Sequence, residues 1–285
     1  MRLGVVKHEG RSRIAANTDG TWQLIADGPG DFGNLCAAAA ATGHGQSAKE
    51  HVLGNVEFEA PITPRSIIAV GLNYFDHIVE TGMEAPTVPL LFGKLLSSVT
   101  GHESDIVVDP SITRRVDWEG EIAVVIGQRM RGVDAREAMA GVFGYTIAND
   151  VSARDLQAVD GQWLRAKSLD TFCPLGPYIV TADELPDPQD LAITTTVNGR
   201  TVQDSSTSRM LFSVAEIIEF CARHFTLHPG DLILTGTPWG CGEFADPRVS
   251  LADGDRVEVS IEGIGTLSNT VRFVKVPTPR RIEAR

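Results

Sequence analysis

The chain has 285 residues, with 25 Lys or Arg against 37 Asp or Glu, so its formal net charge is −12. Apolar residues make up 42% and charged residues 22%, which is typical of a soluble globular protein with a large core. The acidic balance and the absence of a basic run argue against nucleic-acid binding, because that binding needs a positive surface.

The first part of the chain predicts a small N-terminal domain at residues 1–60. Three short apolar runs, divided by Gly, Asp and Asn, are typical of a small β-meander. A helical stretch near Leu35–Ala41 follows and ends at Gly43, and a polar segment then leads to Pro61. We expect residues 61–285 to form a second, catalytic domain.

In the second part, short apolar runs predict strands, and few segments have the period of a helix. Val214–Phe225 is the best amphipathic helix, and Asn198-Gly199 predicts a hairpin turn. The strands do not alternate regularly with helices, which disfavours a TIM barrel or a doubly wound sheet. We therefore predict a β-rich α+β fold. The strands are predicted at 67–70, 122–126, 145–148, 177–180, 192–197, 232–234, 257–261 and 267–274.

Neither a membrane span nor a thiolate site is expected. No apolar stretch reaches about 18 residues, and the N-terminus lacks the apolar core of a secretory signal, so we expect a cytoplasmic location. The cysteines are far apart and form no C-x-x-C pair, which predicts free thiols. His224 and His228 are spaced i, i+4, but no H-E-x-x-H accompanies them and Pro229 follows, so we expect no zinc there.

Three carboxylates form the most informative pattern. Asp117–Gly127 is interpreted as a strand, in which Glu119 and Glu121 point to the same face. Asp150 follows the next strand. A set of hard oxygen ligands without His or Cys selects Mg²⁺, Mn²⁺ or Ca²⁺ over zinc. The alternative is that the two glutamates lie at a solvated strand end and that Asp150 belongs to a turn.

His77 and Glu80 form a second candidate group. Their i, i+3 spacing places them on one face if this stretch is helical. A carboxylate at this distance would set the His tautomer and raise its basicity, so that the pair could activate water. The alternative is an ordinary pair on a helix surface.

Five stretches carry a resemblance to a known family, namely residues 71–80, 117–127, 150–157, 167–177 and 212–240. Taken in this order, they resemble the fumarylacetoacetate hydrolase family, including its acylpyruvate hydrolase and 2-hydroxyhepta-2,4-diene-1,7-dioate isomerase branch. The resemblance covers about residues 61–275. Leu95 stands where relatives often have Pro, and Leu169 where an aromatic residue is frequent, which leaves the substrate open.

This resemblance implies a mixed β-roll catalytic domain, a homodimer, and an Mg²⁺ or Mn²⁺ ion held by the residues that match Glu119, Glu121 and Asp150. It also implies small anionic 2-oxo acids as substrates. By position, Lys167 would stabilise an oxyanion, while Gln157 and Thr237 would contact the substrate. Lys94 lies where relatives also carry a lysine, and we include it as a substrate-binding candidate.

The expected function is cleavage of the C–C bond of a 2,4-dioxo acid to pyruvate and a carboxylic acid. In this scheme the His77–Glu80 pair activates water and the metal ion polarises the 2-oxo group. One alternative is oxaloacetate decarboxylation or isomerisation of a hydroxymuconate-like acid at the same site. The other is a binding protein that has kept the fold without catalysis.

Overall fold

In the computed structural model, which describes residues 1–17, 20–43, 53–54 and 56–275, the chain forms a β-rich α+β fold. The α-helices are α1 (Phe32–Gly43), α2 (Phe75–Thr81), α3 (Ala135–Ala140), α4 (Arg154–Asp160), α5 (Leu164–Lys167) and α6 (Val214–His224). The strands are β1 (Arg2–His8), β2 (Arg11–Asn17), β3 (Trp22–Asp27), β4 (Ile67–Gly71), β5 (Leu90–Lys94), β6 (Val99–Thr100), β7 (Asp105–Val108), β8 (Val116–Asp117), β9 (Gly120–Ile126), β10 (Val142–Asn149), β11 (Ser152–Ala153), β12 (Cys173–Thr181), β13 (Ala192–Val197), β14 (Arg200–Ser206), β15 (Leu232–Leu234), β16 (Arg256–Ile261) and β17 (Gly265–Phe273).

Two large mixed sheets organise the described residues. The larger has the order β3-β2-β1-β12-β10-β9-β15-β4-β5, and β6 adds to β12. The smaller has the order β14-β13-β16-β17-β7, and β8 and β11 form a separate pair. The predicted hairpin is confirmed, since β13 and β14 are antiparallel and join at Asn198-Gly199. The predicted fold class is likewise confirmed.

The central strand β9 separates two parts of the core. Its residues alternate between two faces, with Ile122 and Val124 in the core that also contains α6 and residues of the smaller sheet. Ala123 and Val125 point to the other side, where they pack with Leu35 and other residues near α1. Both faces of β9 are therefore buried, which fixes the position of the residues at its N-terminal end.

Helix α6 confirms the amphipathic prediction. It begins with a capping box, in which the Ser213 hydroxyl accepts from the backbone N–H of Glu216 while the Glu216 carboxylate accepts from Ser213. One stripe of the helix is buried in the core, and the other is exposed. The buried residues are Val214, Ile217, Ile218, Cys221 and Ala222.

The acidic segment differs from the continuous strand that its pattern predicts. β8 ends at Asp117 and β9 begins at Gly120, so Trp118 and Glu119 lie between two strands. The cause is a change of sheet, because β8 pairs with β11 while β9 pairs with β10. Glu119 therefore belongs to a connection, and only Glu121 is a strand residue.

The N-terminal strands continue the larger sheet. β1 pairs with β12 at Arg2 and Leu3, and Ile14 and Leu35 share a core with Ala123. The division of the chain at residue 60 remains a proposal, and the predicted polar segment before Pro61 falls largely outside the described residues. All four cysteines are free. Among the described residues, no helix is both long and apolar enough to cross a membrane.

Candidate functional site

The ends of several strands meet at one place in the fold. β9 and β10 are antiparallel, with Glu121 opposite Ala148, so the start of β9 lies beside Asp150 at the end of β10. β15 is antiparallel to β9 and pairs Leu234 with Ala123, which brings the following turn to the same place. This topology gathers residues that are distant in sequence.

The three predicted carboxylates converge there. Each of Glu119, Glu121 and Asp150 offers an oxygen, and these oxygens lie within 4.8 Å of one another. All three side chains are buried. Gly236 donates its backbone N–H to Glu121 Oε2 at 2.7 Å, and a Cβ at Gly236 would lie 2.8 Å from Asn73 Cβ. A glycine is therefore required at this turn. We call these three residues the carboxylate cluster.

Two buried lysines neutralise part of the cluster. Lys167 Nζ donates to Glu119 Oε2 at 2.6 Å and to Asp150 Oδ2 at 2.9 Å. Lys94 Nζ donates to Asp150 Oδ1 at 2.6 Å and to the backbone carbonyl of Lys167. Both lysines, which the sequence suggests for contacts with substrate, therefore lie on the carboxylates in this structure. Their roles toward a substrate remain proposals.

The two glutamates have opposite electrostatic surroundings. Burial raises the pKa of Glu119, but the charges of Lys167 and Arg154 outweigh it and lower that pKa to about 2. The pKa of Glu121 is raised well above its ordinary value by burial and by the negative charges of Asp150 and Glu119. Glu121 is thus the carboxylate that most needs a further positive charge.

These features fit a divalent cation. The cluster supplies oxygen ligands only, which are the ligands that Mg²⁺, Mn²⁺ and Ca²⁺ prefer. A cation would also remove the repulsion that raises the pKa of Glu121. The cluster is therefore a candidate metal site, and the identity of the ion remains a proposal.

We expect the affinity for Mn²⁺ to rise with pH from about 4.5, the ordinary pKa of glutamate. Below the raised pKa of Glu121, binding must displace a proton, so affinity should increase by up to about tenfold per pH unit. By the same linkage, the metal-free protein holds a proton that the unfolded chain has lost. Its unfolding free energy should therefore fall as pH rises over this range.

Calorimetry of Mn²⁺ binding in two buffers with different ionisation enthalpies would measure the proton release. The Glu103→Gln variant is the control, since it changes an exposed carboxylate outside the cluster and should release the same number of protons. Binding by the unsubstituted protein that releases no proton and does not change with pH would contradict the electrostatic account.

The His77–Glu80 pair lies on helix α2. His77 Nδ1 is 2.9 Å from Glu80 Oε2, and both side chains are largely shielded from solvent. Because an ionised carboxylate can only accept, Nδ1 carries the proton and Nε2 is the basic nitrogen. Glu80 Oε1 accepts the backbone N–H of Gly240 at 2.8 Å, which fixes the carboxylate. The structure thus forms the pair that the i, i+3 spacing suggests.

One cavity of about 260 Å³ joins the two groups. His77 and Glu119 both line it, so the catalytic candidate of the pair and one member of the carboxylate cluster face the same space. Gln157 and Thr237, which the resemblance suggests as substrate contacts, also line this cavity. The volume lies just below the range of about 300–1,000 Å³ that is typical of pockets for drug-sized ligands, which favours a small substrate.

The comparisons with known proteins agree with this arrangement. A family described as fumarylacetoacetate (FAA) hydrolase C-terminal matches residues 66–272, which is well over half of the chain. The chain belongs to the fumarylacetoacetate hydrolase family. The carboxylate cluster, the His77–Glu80 pair and the cavity all lie within the part that matches the family.

Relatives in this family include named enzymes. The mitochondrial oxaloacetate tautomerase of Rattus norvegicus is 47% identical over 218 residues, covering 76% of this chain and 69% of its own. An uncharacterized protein of Archaeoglobus fulgidus is 50% identical over 228 residues, covering 80% and 86% of the two chains.

Solved structures of the family show the same fold. Fumarylacetoacetate hydrolase of Exiguobacterium antarcticum is 38% identical, with a TM-score of 0.83 over 96% of this chain and 100% of its own. The 2-hydroxyhepta-2,4-diene-1,7-dioate isomerase of Mycobacterium marinum is 37% identical, with a TM-score of 0.75 over 96% and 98% of the two chains. The relatives with named activities are thus hydrolases, isomerases and tautomerases.

Arg154 is a site residue that the sequence reasoning does not identify. It is buried and lines the cavity, its Nη1 lies 2.7 Å from Glu119 Oε1, and its Nε donates to Asp117 Oδ2 at 2.8 Å. Nη1 also donates to Gln157 Oε1 at 2.9 Å. The i, i+3 spacing of Arg154 and Gln157 within residues 150–157 is the sequence feature that could have identified Arg154, since it places both side chains on one helix face.

Gln203 is the second such residue, and it lies on β14 of the smaller sheet. Its Oε1 accepts the N–H of Gly120 at 3.0 Å and the hydroxyl of Thr195 at 2.7 Å. Its Nε2 donates to Thr237 Oγ1 at 2.8 Å. Since Thr237 accepts here, its own hydrogen is free to donate elsewhere. The buried side chain of Gln203 therefore connects Gly120, which lies between the two glutamates, with Thr237. Nothing in the local sequence indicates this role of Gln203.

Proposed function

We propose that the protein is a divalent-cation-dependent enzyme that moves a proton at C3 of a small 2-oxo acid. Tautomerisation of an oxaloacetate-type dicarboxylic acid is the reaction that the arrangement supports best. The observation that carries the proposal is the His77–Glu80 pair, whose histidine lines one cavity of about 260 Å³ together with Glu119 of the carboxylate cluster.

In this proposal His77 is the general base and acid. Its Nε2 takes the proton from the enol oxygen or from C3 and returns it at the other position. Glu80 keeps Nδ1 protonated and stabilises the imidazolium that forms between the two transfers. The reaction balances within the substrate, because one proton leaves one atom and one proton is added at another.

The remaining cavity residues would bind and orient the acid. Arg154 and Thr237 supply hydrogen-bond donors for a carboxylate, and Gln157 is held by Arg154 at 2.9 Å. Glu119, Glu121 and Asp150 would hold the cation. When bound, it would supply Lewis-acid polarisation of the 2-oxo group and positive charge against the substrate carboxylate. This charge explains how an acidic protein could bind an anionic substrate.

Two further facts favour tautomerisation. The similar protein of Rattus norvegicus is named an oxaloacetate tautomerase, and that of Mycobacterium marinum is named a dienedioate isomerase. Both names describe proton transfer without loss of atoms. The small volume of the cavity also suits a four-carbon acid.

Hydrolysis of a 2,4-dioxo acid is the second candidate. The same His77–Glu80 pair favours it, because a carboxylate-supported imidazole can deprotonate water for attack on the C4 carbonyl. Cleavage of the C3–C4 bond would then give pyruvate and a carboxylic acid. Decarboxylation of oxaloacetate and isomerisation of hydroxymuconate-like acids use the same activation of C3. The homodimer and the cytoplasmic location also remain proposals.

A substrate panel tests the proposal. Enol-oxaloacetate would be followed by the loss of its ultraviolet absorbance, with Mg²⁺ or Mn²⁺ and again with EDTA, while pyruvate is assayed. We expect metal-dependent loss without pyruvate. Metal-dependent loss of acetylpyruvate absorbance with pyruvate formation would instead identify the hydrolase. Tight binding of these acids with no turnover of any of them would contradict catalysis.

Gln203→Met should weaken substrate binding by releasing Thr237. We expect KM to rise about tenfold, because a Thr237 hydroxyl that no longer points at the substrate loses one hydrogen bond of about 1.4 kcal/mol. The variant should also lose about 2 kcal/mol of unfolding free energy, because Gly120 N–H and the hydroxyl of Thr195 are left unpaired. Steady-state kinetics and denaturant unfolding measure the two effects separately.

Thr195→Val is the matched control. It removes one hydrogen bond to Gln203 Oε1 but leaves the bond from Gln203 to Thr237. Stability should therefore fall while KM stays unchanged. Equal values of KM in Gln203→Met and in the unsubstituted enzyme would show that Gln203 has only a structural role.

A further inference from the structure

A second group of metal-ligating side chains lies at the catalytic pair. His77, Glu80 and Cys241 each offer a ligand atom, and these atoms lie within 4.8 Å of one another. His77 and Cys241 are buried, and Glu80 is partly buried. We call this group the mixed-donor cluster, because it combines nitrogen, oxygen and sulfur. The carboxylate cluster contains oxygen alone.

The fold holds Cys241 against helix α2. The neighbouring Gly240 donates its backbone N–H to Glu80 Oε1 at 2.8 Å, and it has a φ of +99°. A side chain at Gly240 would collide with the carbonyl of Val202, so glycine is required there. The ring of Phe244 then packs edge-on against His77, with 5.5 Å between centroids. Contacts on both sides of Cys241 thus fix its distance from the pair.

We propose that His77, Glu80 and Cys241 form a second metal site, which binds Zn²⁺ or a similar thiophilic divalent ion and inhibits the enzyme. The inhibitory consequence rests on the proposed role of His77, whereas the binding itself does not. Thiolate, imidazole and carboxylate are the ligands of protein zinc sites, and three of them with an open fourth position suffice.

The chemistry of binding is simple and involves no redox step. The Cys241 thiol gives its proton to solvent, and its sulfur forms a bond to the metal ion. Binding therefore releases one proton from the thiol. Burial raises the pKa of this thiol, with a further contribution from Asp117, so the thiol stays protonated in the absence of such an ion. Because Nδ1 faces Glu80, an ion held by both residues would bind Nδ1 and leave the ring proton on Nε2, which could then no longer accept a proton from a substrate.

The two clusters would separate metals by their ligands. Mg²⁺ and Mn²⁺ favour the oxygen atoms of Glu119, Glu121 and Asp150. The sulfur and nitrogen of the mixed-donor cluster favour Zn²⁺ and Co²⁺ over Mg²⁺. One ion would therefore support activity while another, bound at the mixed-donor cluster, suppresses it.

Titration with Co²⁺ tests binding without any substrate. A thiolate ligand gives a near-ultraviolet charge-transfer band, which oxygen ligands do not give. We expect this band in the unsubstituted protein and in Glu121→Gln, and we expect Cys241→Ser to lose it. Cys221→Ser, which changes a buried cysteine of helix α6, is the control and should keep the band.

Cys173 is the main alternative thiolate ligand for Co²⁺, because its thiol lies near the charges of Lys94, Asp150 and Glu121. A band that is lost in Cys173→Ser and kept in Cys241→Ser would overturn the proposal. The absence of any band in the unsubstituted protein would overturn it as well. Neither result depends on the substrate, so both are distinguishable from a failure of the proposed function.

Inhibition is the second measurement. In the Mg²⁺-loaded enzyme, the Zn²⁺ concentration for half inhibition should rise at least about 10-fold in Cys241→Ser, since loss of a residue that only supports a ligand already costs about 10- to 100-fold in affinity. Activity without Zn²⁺ should remain unchanged in this variant, because the thiol has no part in proton transfer. Equal sensitivity of Cys241→Ser and Cys221→Ser to Zn²⁺ would contradict an inhibitory role for the mixed-donor cluster.

Discussion

Glu121→Gln is expected to abolish metal binding and turnover together while making the metal-free protein more stable. The amide oxygen can still accept the N–H of Gly236, so the local fold is kept. In the metal-free protein, Glu121 must either keep a proton or bury a charge that Asp150 and Glu119 repel, whereas an amide is neutral in both the folded and the unfolded chain. The metal-free variant should therefore unfold at a higher temperature. Loss of a metal ligand should lower Mn²⁺ affinity and kcat/KM by at least about 100-fold.

Calorimetry with Mn²⁺, thermal unfolding and steady-state kinetics measure these three effects. Glu103→Gln is a suitable control, since Glu103 is exposed and pairs with Arg256 at 2.6 Å. It should change none of them appreciably. Full Mn²⁺ affinity in Glu121→Gln would show that the ion binds elsewhere and that the carboxylate cluster is not the metal site.

His77→Ala is expected to keep the metal ion but to lose catalysis. A positioned general base contributes about 10²- to 10⁴-fold to a rate, and kcat should fall by that factor. Mn²⁺ affinity should stay within about threefold, because the carboxylate cluster is intact. Glu80→Gln should have a smaller effect on kcat, since the imidazole remains but loses the carboxylate that stabilises its charged form.

Steady-state kinetics and Mn²⁺ calorimetry on the same preparations measure kcat and metal affinity. The exposed His224, near the C-terminal end of helix α6, gives a matched control in His224→Ala, which should retain full activity. If kcat of His77→Ala stays within tenfold of the unsubstituted enzyme, another group must transfer the proton.

The sequence predicts the elements whose signals are local. The apolar run at residues 122–126 identifies β9, and the apolar stripe of Val214–Phe225 identifies α6. The carboxylates are also recognisable, because Glu119 and Glu121 are close in sequence and Asp150 ends the adjacent strand. The position of His77 and Glu80 on one helix follows from their spacing.

The features that the sequence does not reveal depend on packing between distant segments. The strand break at Trp118 arises because β8 leaves the larger sheet to pair with β11, which no residue pattern announces. The contacts of Lys94 and Lys167 with the carboxylates require β5 and α5 to meet at the ends of β9 and β10. Gln203 comes from the other sheet, at a position that looks like any polar strand residue.

Proton transfer by the His77–Glu80 pair can be measured as deuterium exchange at C3 of oxaloacetate in D₂O, followed by NMR. With Mg²⁺, the enzyme should exchange one of the two C3 hydrogens faster than the ion alone does, because a single base on one side of the cavity removes it. EDTA and His77→Ala should both abolish the enzymatic excess. Exchange no faster than with the free ion, or an excess that persists in His77→Ala, would contradict proton transfer by the His77–Glu80 pair.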